Sequence, residues 1–350
     1  IPQFIAAYNQ DRALALRIAL WSRDIRGGAG ERQIYRDILA WLEKNDADAA
    51  LVLANKTPLV GRWDDLHNFT EKALRDHVFG MIRDALREGN GLAAKWTPRK
   101  GEFARQLREF LEWSPKRYRK TLVTLTDVVE QQMCSKEWSK INYNHVPSVA
   151  SKKYRKAFWK NDKERFEAYV NAVSKGEKFE GQVAKVNASA IFPHDVIRGH
   201  VYSFSHNRKN ESAAELQAMI NQWDALPNYI GDGNIMPLVD VSGSMCTGVD
   251  KSGLMAIEVA VSLGLYCADK NKGKFNGTFL TFSGTPELIN LQGNIKQKID
   301  QMVRSNWAMN TNLHAAFNKM LSVAKSAGVP AEEMPKTLLI LSDMQFDQCV

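Results

Sequence analysis

The chain has 350 residues, 44% hydrophobic and 25% charged, the balance of a soluble globular protein with room for two domains. No apolar run reaches the roughly 18 residues that would span a bilayer, and no signal peptide is visible. Four scattered cysteines, Cys134, Cys246, Cys267 and Cys349, offer neither a disulfide framework nor a Cys-x-x-Cys zinc site, so a reducing, cytoplasmic setting is expected. The formal charge of +8 is uneven. From Gly231 onward there are 10 Lys and Arg against 11 Asp and Glu, which leaves 37 against 28 of the totals of 47 and 39 before it. A polyanionic partner is therefore expected on the amino-terminal part.

From Ile1 to about Trp223 the apolar spacing is almost wholly helical. Residues Arg12 to Trp21 carry Leu14, Ile18 and Trp21 on one face, widened by Leu16 and Leu20, and that face is expected to point inward. Three glycines in Arg26 to Arg32 then break the helix. This segment comes after a helix and lacks the Lys-Ser/Thr of a phosphate-binding P-loop, so it reads as a tight turn whose Arg23, Arg26 and Arg32 pair with nearby acids. The next helix turns Ile34, Ile38, Leu39, Trp41 and Leu42 inward, and Asp46 to Ala54 continues until Lys56-Thr-Pro58 ends it. Asp64 or Asp65 is available to cap the next helix. Further helices are expected at Phe69 to Arg87, Leu92 to Trp96, Phe103 to Glu112, Lys116 to Cys134, Lys153 to Ser174 and Val201 to Asp224. Serial helix pairs of roughly 40 residues resemble a HEAT-like α-solenoid over residues 1–225, with a turn-rich linker after it at 226–233.

Residues 234–350 change pattern. Ile235 to Val239 has the length of a strand buried on both faces, and it runs into Asp240-Val-Ser242-Gly-Ser244, with oxygen-bearing side chains at i, i+2 and i+4. An amphipathic helix is expected at Leu254 to Ala268, strands at Lys274 to Phe282 and Glu287 to Leu291, and helices at Ile295 to Val303 and Leu313 to Ala327. Thr337 to Leu341 is a second buried-strand pattern, ending in Ser342-Asp343. Oxygens at the carboxyl end of a parallel strand stand where open α/β sheets bind ligands, and they suit Mg²⁺ or Ca²⁺ better than a soft metal.

Three loops supplying Asp/Ser/Ser, Thr (in Trp307-Ala-Met-Asn-Thr311) and Asp in that order resemble the metal-ion-dependent adhesion site of von Willebrand factor A domains. The resemblance implies an α/β, Rossmann-like A domain over 234–350, incomplete at its carboxyl end. It further implies that Ser242, Ser244 and Thr311 ligate a divalent cation directly, with Asp240 and Asp343 holding it through waters. The expected ion is Mg²⁺, with Ca²⁺ or Mn²⁺ as alternatives, and one coordination position is left for an acidic group of a partner protein. The start at Ile1 and the stop at Val350 both suggest cropped ends.

Arg23-Asp-Ile-Arg-Gly-Gly-Ala-Gly-Glu-Arg32, Gly61-Arg-Trp-Asp-Asp-Leu66, Lys116-Arg-Tyr-Arg-Lys120, Val146-Pro-Ser-Val-Ala150, the Thr311 segment and Ser342-Asp-Met-Gln-Phe-Asp347 together resemble the DUF2828 family. That family is similar in layout to the TROVE (Ro-type) RNA-binding proteins, in which a helical-repeat ring closed by an A domain binds structured small RNAs and single-stranded RNA ends. No RNA-contacting residue of that family matches this chain one-to-one, so the candidate surface rests on charge. One cluster holds Lys95, Arg99, Lys100, Arg105 and Arg108, continued by Lys116, Arg117, Arg119 and Lys120. A second holds Lys152, Lys153, Arg155, Lys156, Lys160, Lys163 and Arg165, interleaved with Tyr154, Phe158, Trp159 and Phe166. Cations neutralise phosphates and flat rings stack on unpaired bases, although the same pattern serves a solvated helix over aromatic core. The expectation is a non-enzymatic RNA-binding protein. The competing readings are an assembly scaffold that grips an acidic partner group through the metal and, with least support, a metal-dependent nuclease.

Overall fold

Side-chain oxygens fix where several helices begin. Asp11 accepts the N–H of Leu14 at 2.9 Å, Asp46 that of Ala49 at 2.9 Å, and Ser114 that of Arg117 at 3.2 Å, each satisfying an otherwise orphaned first-turn donor. A computed structural model describes residues 1–201, 211–249, 253–282, 286–303 and 313–343. It is mostly helical with a small mixed sheet near the carboxyl end, and it divides into two units, Ile1–Ile141 and Asn142–Val350. None of its described helices is long and apolar enough to cross a membrane.

The first unit holds α1 (Pro2–Gln10), α2 (Arg12–Arg23), α3 (Gln33–Asn45), α4 (Ala47–Val60), α5 (Lys72–Arg87), α6 (Gly91–Trp96), α7 (Glu102–Phe110), α8 (Pro115–Leu125) and α9 (Val129–Cys134). Its core runs from Ala19 through Tyr35, Leu42, Leu53, Phe79 and Ile82 to Leu107 and Leu122. The inward stripe expected of α2 faces outward instead. Leu14, Ile18 and Trp21 are 50%, 48% and 57% exposed, whereas α2 buries Ala15, Ala19 and Arg23. Helix α2 packs with the alanine-rich α4, which buries Ala49, Ala50 and Ala54, and small side chains on both helices allow a close approach.

Other boundaries moved for local reasons. Helix α4 continues through Pro58, because a proline in the last turn forfeits only one backbone donor and Gly61 still donates to Thr57 at 2.7 Å. The long helix expected over Lys116 to Cys134 breaks after Leu125, where the Thr126 hydroxyl caps the Leu122 carbonyl at 2.5 Å. The one expected over Lys153 to Ser174 breaks at Asp162, whose backbone leaves the helical region.

The second unit begins with α10 (Ser148–Asn161), α11 (Lys163–Lys175), a hairpin of β1 (Lys178–Phe179) and β2 (Gln182–Val183), α12 (Pro193–Ile197) and α13 (Ala213–Asp224). Then come β3 (Ile235–Asp240), α14 (Ala256–Lys270), β4 (Thr278–Phe282), β5 (Leu288–Asn290), α15 (Ile295–Val303), α16 (Leu313–Ser326) and β6 (Thr337–Leu341). The sheet order is β5-β4-β3-β6. Strand β3 is parallel to both β4 and β6, and β5 runs antiparallel to β4. Strand β3 is buried on both faces, as its apolar run predicts. Val239 faces a core shared with Val261 and Leu265 of α14, Ile299 of α15 and Trp223 of α13, while Met236 and Leu238 face Ala316 and Met320 of α16. The turn-rich 226–233 segment is tied to α14, where the Tyr266 hydroxyl accepts the Tyr229 N–H at 2.9 Å and donates to the Pro227 carbonyl at 2.5 Å.

Helix α14 comes nearest the sheet at Gly264, where an added Cβ would stand 2.4 Å from Val239 and 3.5 Å from Phe279. Gly264→Ala should therefore push α14 off β3 and lower stability by about 1–3 kcal/mol, read as a reduced urea midpoint. An unchanged midpoint would show that the helix has slack there.

Candidate functional site

Where β3 ends, the chain turns through Val241 and Ser242 into a short 3₁₀ helix, Gly243–Cys246. Asp240 is fully buried. One of its oxygens accepts the backbone N–H of Ser242 at 2.9 Å and the other accepts the hydroxyl of Ser342 at 2.6 Å. The hydroxyls of Ser242 and Ser244 lie 2.9 Å apart. Strand register explains the reach of Ser342: Val239 pairs with Leu341 in the parallel β3–β6 ladder, so the next residue of β6 arrives beside Asp240. Asp343 comes next, half-buried. Asp240, Ser242, Ser244 and the Ser342-Asp343 end of β6 are thus gathered at one sheet edge, and Thr311 lies outside the described residues. Ser342 is the site residue that reasoning from motifs alone passed over. Its signal was present, because two parallel strands of equal register bring their next residues together.

The cluster offers carboxylate and hydroxyl oxygens. Among the described residues no Lys, Arg or His forms an ion pair with Asp240, although buried carboxylates are ordinarily paired or bound to a metal. Among the described residues there is also no group of three or more His, Cys, Asp and Glu side chains placed to share a metal. Carboxylate and hydroxyl oxygens are what remain, and they fit Mg²⁺, Ca²⁺ or Mn²⁺ in preference to zinc.

The basic residues divide by what they touch. On α8, Lys116, Arg117, Arg119 and Lys120 are exposed and form no ion pair among the described residues, and Arg117 lies 4.8 Å over the ring of Trp113. Lys100, nearby in sequence, is likewise exposed and forms no ion pair among the described residues, but three other basic neighbours have partners. Lys95 faces Glu130, Arg99 bonds Thr126, and Arg105 bridges Glu102 and Glu109.

On α10, Lys153, Lys156 and Lys160 are exposed, and Lys152 is half-buried, where desolvation lowers its pKa. Arg155 stands among them in sequence but not on their surface. It is buried and donates to the Glu215 carbonyl at 3.2 Å, and burial lowers its pKa. Phe158 and Phe166 are core, packed around Tyr143, while Trp159 and Tyr154 are half-buried with Lys163 and Lys153 over their rings. A cleft of about 590 Å³ is lined by Lys156, Trp159, Lys160, Lys163, Glu211, Ser212 and Glu215. Its acids are already engaged. Glu215 and Ser212 form the capping box of α13, and Glu211 meets His200 at 2.7 Å.

Comparison with known proteins places this geometry. Residues 95–233 match the family described as Domain of unknown function (DUF2828), and residues 234–350 match Domain of unknown function (DUF7788). The Arg23–Arg32 and Gly61–Leu66 phrases therefore lie ahead of the DUF2828 match, and the Ser342 phrase lies within the second family. The whole chain is similar to Uncharacterized protein L728 of Acanthamoeba polyphaga mimivirus, 27% identical over 68% of that protein. Among solved structures it is similar in fold to the Deinococcus radiodurans RO (RSR) protein. The TM-score is 0.52 and the identity 13%, over 99% of this chain and 81% of that one. The layout is thus Ro-like.

Removing the Ser342 hydroxyl takes a donor from a buried carboxylate. Ser342→Ala is expected to cost about 1.5–3 kcal/mol, the range for hydrogen bonds to charged groups, measured by denaturant unfolding. A cost near zero would mean that the β6 end does not hold Asp240.

Proposed function

We propose that this chain is a non-enzymatic RNA-binding protein whose contacts are electrostatic and base-stacking. The observation that carries the reading is the cleft beside α10 and α11. Three lysines without carboxylate partners among the described residues line it together with the partly exposed indole of Trp159, and its acids are occupied elsewhere. Its volume is in the range that holds a small ligand or a nucleotide. Lysines along the rim neutralise phosphates, and Trp159 offers a face to an unpaired base. The exposed quartet on α8 supplies a second basic surface in the first unit. The Ro-like fold agrees with the RNA partner that the Ro-type resemblance of the sequence implies.

In the same proposal the oxygens at the end of β3 hold one divalent cation. Ser242 and Ser244 would be direct ligands, Asp240 and Asp343 would act from the second sphere or through water, and Thr311 would complete the set. The buried carboxylate of Asp240, with no basic side chain against it among the described residues, supports this. When bound, the ion supplies a Lewis-acidic position that an acidic group of a partner protein can fill, which makes partner capture a function compatible with RNA binding.

Lys153→Glu, Lys156→Glu and Lys160→Glu together should weaken binding of a single-stranded RNA by at least about tenfold at moderate salt. They should also flatten the dependence of log K on log salt by about 2, the contribution of three phosphate contacts on a single strand. Fluorescence anisotropy across a salt series reads both. RNA affinity that ignores salt and these charges would overturn the proposal.

A further inference from the structure

The arginines between α2 and α3 serve neither the lysine surface nor the oxygen cluster. We infer that they build an oxyanion site of the phosphate class in the first unit, centred on Arg32 and Arg62.

Two carboxylates anchor the cluster, and both are already in use. Asp65, fully buried, takes Arg23 at 2.8 Å through one oxygen and Arg36 at 2.9 Å through the other. Asp64 takes Arg62 at 2.6 Å and Arg36 at 3.2 Å. The loop that carries both acids is fixed in place at Gly61, where a Cβ would stand 2.8 Å from the Asp65 carboxylate and 3.1 Å from the Arg23 guanidinium. The Arg62 guanidinium carbon stands 3.9 Å over the Trp96 ring, a contact that restricts where its remaining N–H donors can point.

Two further arginines stand at this loop and form no ion pair among the described residues. Arg26 is exposed and its guanidinium bonds only the Leu59 carbonyl among the described residues, at 3.4 Å. Arg32 is exposed, stands one helical turn before Arg36, and forms no hydrogen bond or ion pair through its side chain among the described residues. Arg36, one turn on, shares Asp64 with Arg62, which brings Arg32 to the same loop; burial and the charges of Arg62 and Arg23 push its pKa down against the opposing pull of Asp64 and Asp65. Two further acids of the same segment make no ion pair with it among the described residues. Asp24 accepts the backbone N–H of Arg26 at 2.9 Å, and Glu31 is exposed and forms no ion pair among the described residues.

Three guanidinium groups therefore share the carboxylates of Asp64 and Asp65, and two more, Arg26 and Arg32, face solvent beside them. The start of α3 adds to this, because Arg32 occupies its cap position and no side chain there accepts a first-turn N–H. Forked guanidinium donors match the tetrahedral oxygens of a phosphate. A phosphodiester of a nucleic acid and a free phosphate compound present the same chemistry, and the test separates them.

The full chain is unfolded thermally in buffers of matched ionic strength with chloride or with inorganic phosphate. Phosphate at roughly 20 mM should raise the Tm of the wild type by about 3 °C. Arg32→Ala should abolish the rise while leaving the Tm in chloride equal or higher, because it removes a repelled charge. The Lys153/Lys156/Lys160 reversal should keep the rise, so this inference and the RNA reading can fail separately. Displacement of phosphate by a short oligoribonucleotide would assign the site to nucleic acid, and its absence would assign it to a small phosphate compound. A wild type indifferent to phosphate, a rise that survives Arg32→Ala, or a fall in Tm on Arg32→Ala in chloride would each overturn the site.

Discussion

A carboxylate buried at the end of a central strand constrains everything around it. Asp240 is shielded from bulk solvent, and among the described residues the groups that meet it are a backbone N–H and the Ser342 hydroxyl rather than a basic side chain. Such a group is costly to bury unless its environment is fixed, and the second unit is arranged to fix it. Parallel pairing of β3 with β6 delivers Ser342, the 242–244 turn delivers a backbone donor and two hydroxyls, and Gly264 lets α14 lie tight against the strand behind them. The proposed cation completes this environment, since it supplies the positive charge that no described side chain provides.

The abundant positive charge elsewhere has two different uses. Arg23, Arg36 and Arg155 are spent within the fold on carboxylates and a backbone carbonyl, where guanidinium geometry suits several fixed acceptors at once. Lys116, Lys120, Lys153, Lys156 and Lys160 stay in solvent and form no ion pair among the described residues. Lysines left unpaired cost little in isolation, but side by side they repel, and a polyanion relieves that repulsion while releasing its own counterions. Burial and pairing, rather than residue type, separate the charges that maintain the structure from those available to a partner, since Arg117 and Arg119 stand exposed beside Lys116 and Lys120.

Much of this was legible in the sequence. The apolar run ahead of Asp240 and the spacing of Ser242 and Ser244 placed a buried strand and an oxygen-bearing turn correctly, because strand length and residue type are local properties. What failed depended on distant residues. The Leu14, Ile18 and Trp21 stripe has flawless helical periodicity, yet the alanines of α4 draw the other face of α2 inward. Arg155 looks like its lysine neighbours until α13 closes over it, and nothing near Pro58 in sequence shows that its helix can tolerate the lost donor. The place of Ser342 required knowing which strands pair and in what register.

The most direct test of the central claim is the binding of Mn²⁺ to the full chain, monitored as the loss of its free-ion electron paramagnetic resonance signal. The account predicts about one ion per chain in competition with Mg²⁺, with affinity greatly reduced in Asp240→Asn and in Ser242→Ala. If all three proteins bind the ion equally, or none binds it, the oxygen cluster above β3 is a hydrogen-bonded turn and the cation has no place in this protein.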